Sequence, residues 1–425
     1  MRQHQRANHH DRRKGRRYDQ IRCDKRGRQM IDAGIFDPQL IAQMTEWRRD
    51  FHRHPELGFA EERTAARVAD LLESFGLEVH RSIGNTGVVG ILQHGNGPGS
   101  IAFRADMDAL PITETGTAEW ASTNDGVMHA CGHDGHTSML LGAACHLAAQ
   151  DDFNGRIIFI FQPNEEHGLG ARAMIDDGLF ARFPADAVFA MHNIPGMPAG
   201  SFATRAGPMT ASESLFEITI QARGGHAALP HMGVDAILVG AQLVTALQSV
   251  VARKIDPARN GVVSITEFIT DGSRNILPSN AILKGDARAL SDDTNTAIET
   301  HMRQIASGIA KAHDVEISLT YDTVFPALQN DPDAAAQAVR AARMTSQPVD
   351  PACDPKLFSE DFAHMARAVP GCFMLIGNGT AGAHARPLHA SDYDFNDDIL
   401  ASGATYIATL ATQFLNSDDP VGGSG

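Results

Sequence analysis

Three apolar segments of strand type run directly into side chains that can bind cations. Asp106 and Asp108 follow Ser100–Arg104, Glu165 and Glu166 follow Arg156–Phe161, and His192 follows Asp186–Met191. Ligands of α/β sheets bind beyond the carboxyl ends of the strands, so these side chains are expected to gather at one edge. Taken singly, an Asp-x-Asp is usually a turn or helix cap, and adjacent glutamates are usually a solvated pair. Three such endings together favour a metal site.

A thiol and further imidazoles lie elsewhere in the chain. Cys131 and His133 are two residues apart in the segment His129–His136 (HACGHDGH), and His389 lies far downstream. A thiolate and an imidazole at this spacing suit Zn²⁺ or a similar ion. A core cysteine or an ordinary core or capping histidine would explain each one alone. Their expected convergence with the strand-end residues therefore favours metal binding.

The adjacent glutamates can have two different roles, metal binding and proton transfer. One carboxylate can hold a cation while its neighbour accepts a proton from water. A bound metal lowers the pKa of water towards about 7, so that a carboxylate can remove its proton at neutral pH. This combination predicts hydrolysis of a carbonyl compound.

The elements that must position these residues alternate between helix and strand. Asp37-Pro38 predicts the start of a helix, and helices are also expected at about 61–75, 135–149 and 169–180. The apolar strand-type segments are Gly87–Leu92, Ser100–Arg104, Arg156–Phe161, Asp186–Met191 and Cys372–Gly377. This pattern predicts an α/β catalytic domain with a mixed, mostly parallel sheet covered by helices.

The region 207–322 has a different pattern. Strand, helix, two strands, helix and strand follow one another, which predicts an inserted ferredoxin-like α+β module. The expected domains are a catalytic domain in two parts (30–206 and 323–416) around that module, a basic disordered extension (1–29) and a disordered tail (417–425).

Charge and cysteine content restrict the class of protein. Eleven basic and three acidic residues give residues 1–30 a net charge of +8, so the −15 of the whole chain leaves −23 for the remainder. An acidic body argues against a nucleic-acid partner, and no segment is apolar enough to span a membrane. Five scattered cysteines and no apolar leader predict a cytoplasmic protein without disulfides.

Nine segments, in order from about residue 45 to 410, resemble the hippurate hydrolase/N-acyl-amino-acid amidohydrolase branch of the dinuclear metallo-aminoacylase and carboxypeptidase family. They are RRDFHRHPE (48–56), FRADMDALPITE (103–114), HACGHDGH (129–136), FQPNEE (161–166), MHNIPGMPAG (191–200), GGHAALPHMGVD (224–235), NILP (275–278), SEDF (359–362) and LHASDYDFNDD (388–398).

The resemblance implies a role for each matched residue. Cys131 would bridge two divalent metals, His133 and His192 would complete one metal site, and Glu166 and His389 would complete the other. Glu165 would be the general base and Asp108 would orient a ligand. His226 would reach the partner subunit's site to stabilise the oxyanion, and Asn275 and Arg288 would hold the substrate. The inserted module would be a lid that also dimerises.

The expected cofactors are two Zn²⁺ or Mn²⁺ ions, with Co²⁺ or Ni²⁺ as alternatives, and the expected partners are an N-acyl amino acid and a second copy of the chain, as a dimer or tetramer. Asn164, His167 and Ala390-Ser391 depart from the family pattern without removing a ligand.

Four alternatives stay open: a carboxypeptidase or dipeptidase, a deacetylase of a biosynthetic N-acetyl amino acid, a hydrolase with Cys131 as nucleophile, and a metal-binding scaffold with a basic nucleic-acid-binding arm.

Overall fold

The computed structural model describes residues 36–417. Its helices are α1 (Pro38–Arg53), α2 (Glu62–Ser74), α3 (His133–Ala148), α4 (Gly170–Asp176), α5 (Leu179–Arg182), α6 (Ala236–Leu247), α7 (Asp292–His313), α8 (Pro332–Met344), α9 (Phe362–Ala368) and α10 (Leu400–Leu415). Its strands are β1 (Glu78–Ile83), β2 (Gly87–His94), β3 (Ser100–Asp106), β4 (Gly155–Gln162), β5 (Ala187–Pro195), β6 (Phe202–Ala203), β7 (Gly207–Thr210), β8 (Ser212–Gln221), β9 (Gly225–His226), β10 (Gly261–Thr270), β11 (Ile276–Leu277), β12 (Asn280–Ala289), β13 (Glu316–Phe325), β14 (Leu328–Asn330), β15 (Val349–Asp350) and β16 (Gly371–Gly379).

An eight-stranded sheet of order β1-β2-β4-β3-β5-β16-β6-β15 forms the catalytic domain. Its central strands β4, β3, β5 and β16 are parallel, whereas β1 and β2 add antiparallel neighbours at one side. The carboxyl ends of the four central strands therefore open onto the same edge of the sheet, which is where a ligand site is expected.

Two apolar cores cover the two faces of this sheet. Ile101, Phe103 and Ala105 of β3 pack into one core together with α1, α3, α8 and α10. Ala102 points to the opposite core, which contains residues of α4, α5 and α9. The alternation along β3 follows from the period of two of a strand, and it leaves the buried Arg104 on the second face.

The first helix shows how local sequence sets these elements. The side chain of Asp37 accepts a hydrogen bond from the backbone N–H of Gln39 at 2.9 Å, and Pro38 occupies the first helical position. Both features stabilise a helix start, as predicted. Asp235 and Ser291 cap α6 and α7 in the same way.

The second module is an antiparallel sheet of order β10-β12-β8-β13 with α6 and α7 on one face. Numbered by their place in the module, the strands follow the order 2-3-1-4, which is that of a ferredoxin-like fold. A separate two-stranded ladder, β9 with β11, extends from the end of the module where Asn280 pairs with Gln221. We call this end, residues 224–233 and 271–280, the lid tip.

The structure differs from the sequence expectations at several elements. Strand β1 was not expected, because four of its six residues are polar and it lies at the edge of the sheet. The single helix expected at 169–180 is two helices, since Gly178 adopts a left-handed conformation with φ of 85°. The exact domain boundaries stay predictions. The predicted extension 1–29 and residues 418–425 of the predicted tail 417–425 lie outside the described residues. No helix within residues 36–417 is long and apolar enough to cross a membrane.

Candidate active site

The predicted metal ligands come together at the carboxyl edge of the central strands. Glu166 lies in the turn after β4, His192 lies within β5, and Cys131 and His133 flank the start of α3. His389 comes from the loop after β16, where its φ of 64° places it in the left-handed region. β5 continues to Pro195, so His192 is an internal strand residue rather than one that follows the strand.

Two trios of side chains share Cys131. Cys131, His133 and His192 form one, and Cys131, Glu166 and His389 form the other, with the candidate ligand atoms of each trio within 4.8 Å of one another. Cys131 Sγ lies 3.4 Å from His192 Nε2, and His389 Nε2 lies 3.5 Å from Glu166 Oε1. The two trios match the two sets implied by the family resemblance.

Gly132 allows the turn between Cys131 and His133. Its φ is 92°, and a Cβ there would lie 2.2 Å from the side-chain oxygen of Asn193 and 2.8 Å from the hydroxyl of Tyr393. Any other residue would both strain the backbone and collide with these groups. The glycine therefore lets the thiol and the imidazole face the same space.

The atoms of these residues fit divalent cations. His133 Nε2 and Glu166 Oε1 are buried, lie 3.8 Å apart and have no hydrogen-bond partner among the described residues. Buried polar atoms without partners are costly. Burial and then the carboxylates of Glu166 and Glu165 raise the pKa of Cys131 well above its usual range. Thiolate, imidazole and carboxylate donors in this arrangement suit ions such as Zn²⁺.

Asp108 connects two of the candidate ligands. His133 Nδ1 donates to the carbonyl oxygen of Asp108 at 2.9 Å and lies 3.2 Å from its carboxylate. The other carboxylate oxygen accepts the backbone N–H of Glu166 at 3.0 Å. Burial lowers the pKa of His133, but Asp106 and Asp108 outweigh it and raise this pKa to about 10. These contacts leave His133 Nε2 directed at the trio, as a positioned ligand requires.

Glu165 lies beside both trios in a buried position. Its side chain is 6% exposed, and its Oε1 accepts the backbone N–H of Asp361 at 3.3 Å. Burial, then Glu360, then Glu166, raise its pKa well above the usual range. A buried carboxylate with a raised pKa, next to candidate ligands but bonded elsewhere, has the properties of a proton acceptor and donor.

Comparison with known proteins identifies the family. The sequence profile of peptidase family M20/M25/M40 matches residues 102–413. The hippurate hydrolase of Campylobacter jejuni is 41% identical over 380 residues, which cover 88% of this chain and 97% of that protein. This chain belongs to peptidase family M20/M25/M40.

Two further relatives support the family assignment. The N-acyl-L-amino acid amidohydrolase of Geobacillus stearothermophilus is 40% identical over 338 residues, covering 77% of this chain and 90% of that protein. The crystal structure of a dinuclear metal-binding peptidase of the M20 family from Bacillus subtilis has a TM-score of 0.79 and 32% identity, covering 89% of this chain and 99% of that one. The predicted family and fold class are confirmed.

A buried ionic network behind Glu165 was missed in the sequence analysis. Arg104 contacts Asp106 at 2.7 Å, Glu360 at 3.0 Å and Asp361 at 2.9 Å. Its position in an apolar strand was the available signal, because a buried arginine requires acidic partners. The segment SEDF, which supplies Glu360 and Asp361, was matched to the family without a role.

A second missed group orients His192. Its Nδ1 donates to the carbonyl oxygen of Asn193 at 2.6 Å, and the side chain of Asn193 contacts His136 Nε2 at 2.8 Å. His136 Nδ1 in turn lies 2.6 Å from Asp106. The pair therefore joins β5 to the Arg104 network and holds His192 Nε2 towards Cys131.

The remaining predicted site residues lie in the second module, which is the predicted lid. His226 and Asn275 are neighbours at the lid tip, where the N–H of Ala227 donates to the carbonyl of Asn275 at 3.1 Å. Among residues 36–417, no hydrogen bond or ion pair joins either of them to the metal-ligand cluster. Arg288 lies at the opposite end of β12, and all three of its guanidinium nitrogens contact groups of this chain.

Two of the departures from the family pattern contact each other. His167 Nδ1 lies 2.7 Å from Asn164 Oδ1, and Asn164 adopts a φ of 47°. The buried Glu61 accepts the backbone N–H of Asn164 at 2.9 Å. His167 is exposed and is absent from the candidate ligand groups of the described residues. It therefore stabilises the turn that carries Glu165 and Glu166.

Proposed function

We propose that this chain is an amidohydrolase that cleaves the amide bond of N-acyl amino acids, such as hippurate-like or N-acetyl conjugates, with two divalent metal ions. The observation that carries the proposal is the pair of ligand trios that share Cys131, with Glu165 buried beside both. The names of the two M20 relatives, a hippurate hydrolase and an N-acyl-L-amino acid amidohydrolase, support this substrate class.

Cys131, His133 and His192 would hold one ion, and Cys131, Glu166 and His389 the other. When bound, the ions would polarise the acyl carbonyl of the substrate and lower the pKa of a water molecule. Glu165 accepts the proton of that water at its carboxylate and passes it to the nitrogen of the departing amino acid. Nearby cations favour the ionised form of Glu165, which burial and Glu360 otherwise oppose.

The donor set favours Zn²⁺ or Mn²⁺, with Co²⁺ and Ni²⁺ as alternatives. A thiolate and imidazoles are poor ligands for Ca²⁺, so Ca²⁺ is not expected. Cys131, Cys353 and Cys372 form no disulfide among the described residues. We propose a cytoplasmic location, as the scattered cysteines of the sequence suggest.

The alternatives to this function are less consistent with the site. As a nucleophile, Cys131 would need a low pKa, whereas burial and two glutamates raise it. A non-catalytic scaffold would leave the buried Glu165 without a role. The names of the hippurate hydrolase and the N-acyl-L-amino acid amidohydrolase favour N-acyl amino acids over carboxypeptidase, dipeptidase or dedicated biosynthetic deacetylase substrates.

The test is a substrate panel on metal-reconstituted protein. N-acetyl, N-benzoyl and longer N-acyl amino acids are compared with dipeptides, after apo protein has been loaded with one metal at a time. We expect turnover of N-acyl amino acids and loss of that turnover on chelation. Cleavage of dipeptides alone would contradict the proposal.

We also propose that His226 and Asn275 act on the site of a partner subunit. Asn280 and Arg288 lie eight residues apart near the two ends of β12. At the rise per residue of a strand, this separation is about 27 Å. Asn275 lies beyond the Asn280 end, so one lid cannot present Asn275 and Arg288 to the same small substrate. A dimer in which lid tips are exchanged removes this conflict.

Mixing two inactive variants tests this arrangement. His226→Ala lacks a lid-tip group, and Glu165→Gln lacks the proton acceptor, so a mixed dimer has one site with both groups intact. We expect activity to appear after the two proteins are mixed, partially dissociated and reassembled. Activity that stays absent in verified mixed dimers would contradict the exchange of lid tips.

A further inference from the structure

Residues 356–361, which we call the hinge strap, join three functional parts of the molecule. At its start the strap lies along the connection from the catalytic domain into the lid. The backbone N–H of Lys356 donates to the carbonyl of Met209 at 2.8 Å, and the N–H of Ala211 donates to the carbonyl of Lys356 at 3.0 Å. Because β7 ends at Thr210 and β8 begins at Ser212, the strap is fixed at the point where the chain enters the predicted lid.

The middle of the strap is held by a charged pair of the lid. Ser359 Oγ donates to Glu213 Oε2 at 2.6 Å and accepts from an Arg288 nitrogen at 3.3 Å. Arg288 also donates to the carbonyl of Leu357 at 3.3 Å and contacts Glu213 at 3.2 Å. Glu213 and Arg288 are cross-strand neighbours on β8 and β12, so they move with the lid sheet.

The end of the strap contacts the catalytic centre. The N–H of Asp361 donates to Glu165, and Arg104 binds both Glu360 and Asp361. The ring of Phe358 lies 6.4 Å from the ring of His192, centroid to centroid. One short segment therefore touches the lid, the proposed proton acceptor and a proposed metal ligand.

We propose that Ser359 is a positioning residue that couples the orientation of the lid to the placement of Glu165 and His192. Its hydroxyl is hydrogen-bonded to the carboxylate of Glu213 and to the guanidinium of Arg288 at the same time. Ser359 is two residues from Asp361 and adjacent to Phe358. A shift at Ser359 is transmitted because close-packed interiors do not absorb displacements, and a misplacement of about 1 Å at a reacting group can cost about 100-fold in rate.

The proposal rests on the proposed hydrolysis, and the chemistry of Ser359 makes it testable with small changes. Ser359→Ala removes a hydrogen bond to a charged group and leaves the backbone of the strap intact. Ser359→Thr keeps the hydroxyl. Ser307→Ala is the matched control, because Ser307 is an exposed serine on α7 away from the strap.

The experiment compares the metal-loaded parent with Ser359→Ala, Ser359→Thr, Glu213→Gln and the Ser359→Ala/Glu213→Gln double variant, and Ser307→Ala is the control that should behave like the parent. We expect Ser359→Ala to lower kcat about tenfold at unchanged KM and metal content, which is within the range for misplacement of a catalytic group. Ser359→Thr should restore most of kcat. The double variant should lose no more than the larger single loss, because both changes break the same contact.

Hydrogen exchange supplies a readout that needs no substrate. In metal-loaded Ser359→Ala, the amides of residues 358–362 should exchange faster than in the parent, while α3 stays protected. Parent-like kcat in Ser359→Ala, or additive losses in the double variant, would overturn the coupling and leave Arg288 to its predicted role in substrate binding. If the parent hydrolyses no member of the panel, the proposed function is wrong. Unchanged hydrogen exchange at residues 358–362 in Ser359→Ala would then overturn, without any activity measurement, the proposal that Ser359 positions the strap.

Discussion

Glu165→Gln is the most direct test of the proposed chemistry. The side chain is 6% exposed and accepts the N–H of Asp361, and glutamine can keep both the shape and that hydrogen bond. In the metal-free protein the pKa of Glu165 is well above its usual range, first through burial and then through Glu360 and Glu166. Replacement by a neutral amide therefore changes the charge of the empty site little.

The expected effect is on turnover alone. Removal of a general acid–base group costs about 100- to 10,000-fold in kcat, or about 3–5 kcal/mol of transition-state stabilisation. Metal content at saturating metal should stay at two ions per chain, because the predicted ligands are intact. The free energy of unfolding without metal should equal or exceed that of the parent, since a buried and repelled carboxylate has been removed.

The assay is steady-state hydrolysis of a preferred N-acyl amino acid, with metal content measured on the same samples. Glu46→Gln is the matched control, because it makes the same change at an exposed glutamate on α1. Glu166→Gln should instead lose metal together with activity. Fully loaded Glu165→Gln that turns over at a rate near the parent's would refute the assignment of the proton acceptor.

Three further outcomes follow from the same contacts. Cys131→Ala should lower both metal content and activity, and full occupancy by two metals in that variant would contradict the bridging assignment. Glu61→Gln should raise the free energy of unfolding at pH 8 by up to about 3 kcal/mol and at pH 5 by less than about 1, measured by urea titration. Burial raises the pKa of Glu61 from 4.5 to about 7. The stability that Glu61 contributes is therefore present below pH 4.5 and is lost as the pH rises through 7. An equal gain in the free energy of unfolding at both pH values would be inconsistent with this cause. Deletion of residues 1–29 should leave amidase activity unchanged, and a loss of hydrolysis on deletion would give the basic segment a part in catalysis.

Local sequence was sufficient to place Glu165, Glu166 and His192, because each lies in or directly after a short, strongly apolar strand. Glu165, Glu166 and His192 were placed at a common edge by the rule that parallel strands end together, and the structure brings them there. The βαββαβ order of the predicted lid was equally local, since the periodicities of its helices and strands are clear.

Contacts between distant parts of the chain could not be predicted in this way. Arg104 and Asp361 are separated by 257 residues, and only the folded sheet shows that they meet. The same is true of Ser359 and Glu213, which are 146 residues apart. A buried arginine predicts that acidic partners exist but does not identify them, because the partners are determined by tertiary packing rather than by spacing in the sequence.

The balance of charge at the site gives a physical reason for the cations. Asp106, Asp108, Glu165, Glu360 and Asp361 are each at most 6% exposed, and Glu166 is only partly exposed. Arg104 is the one arginine in contact with this group among the described residues, and it can offset a single negative charge. Buried acids that outnumber their cations must either take up protons or bind positive ions. Metal binding should therefore release protons from this cluster, and the number released on titration with Zn²⁺ should fall when Glu165 is replaced by glutamine.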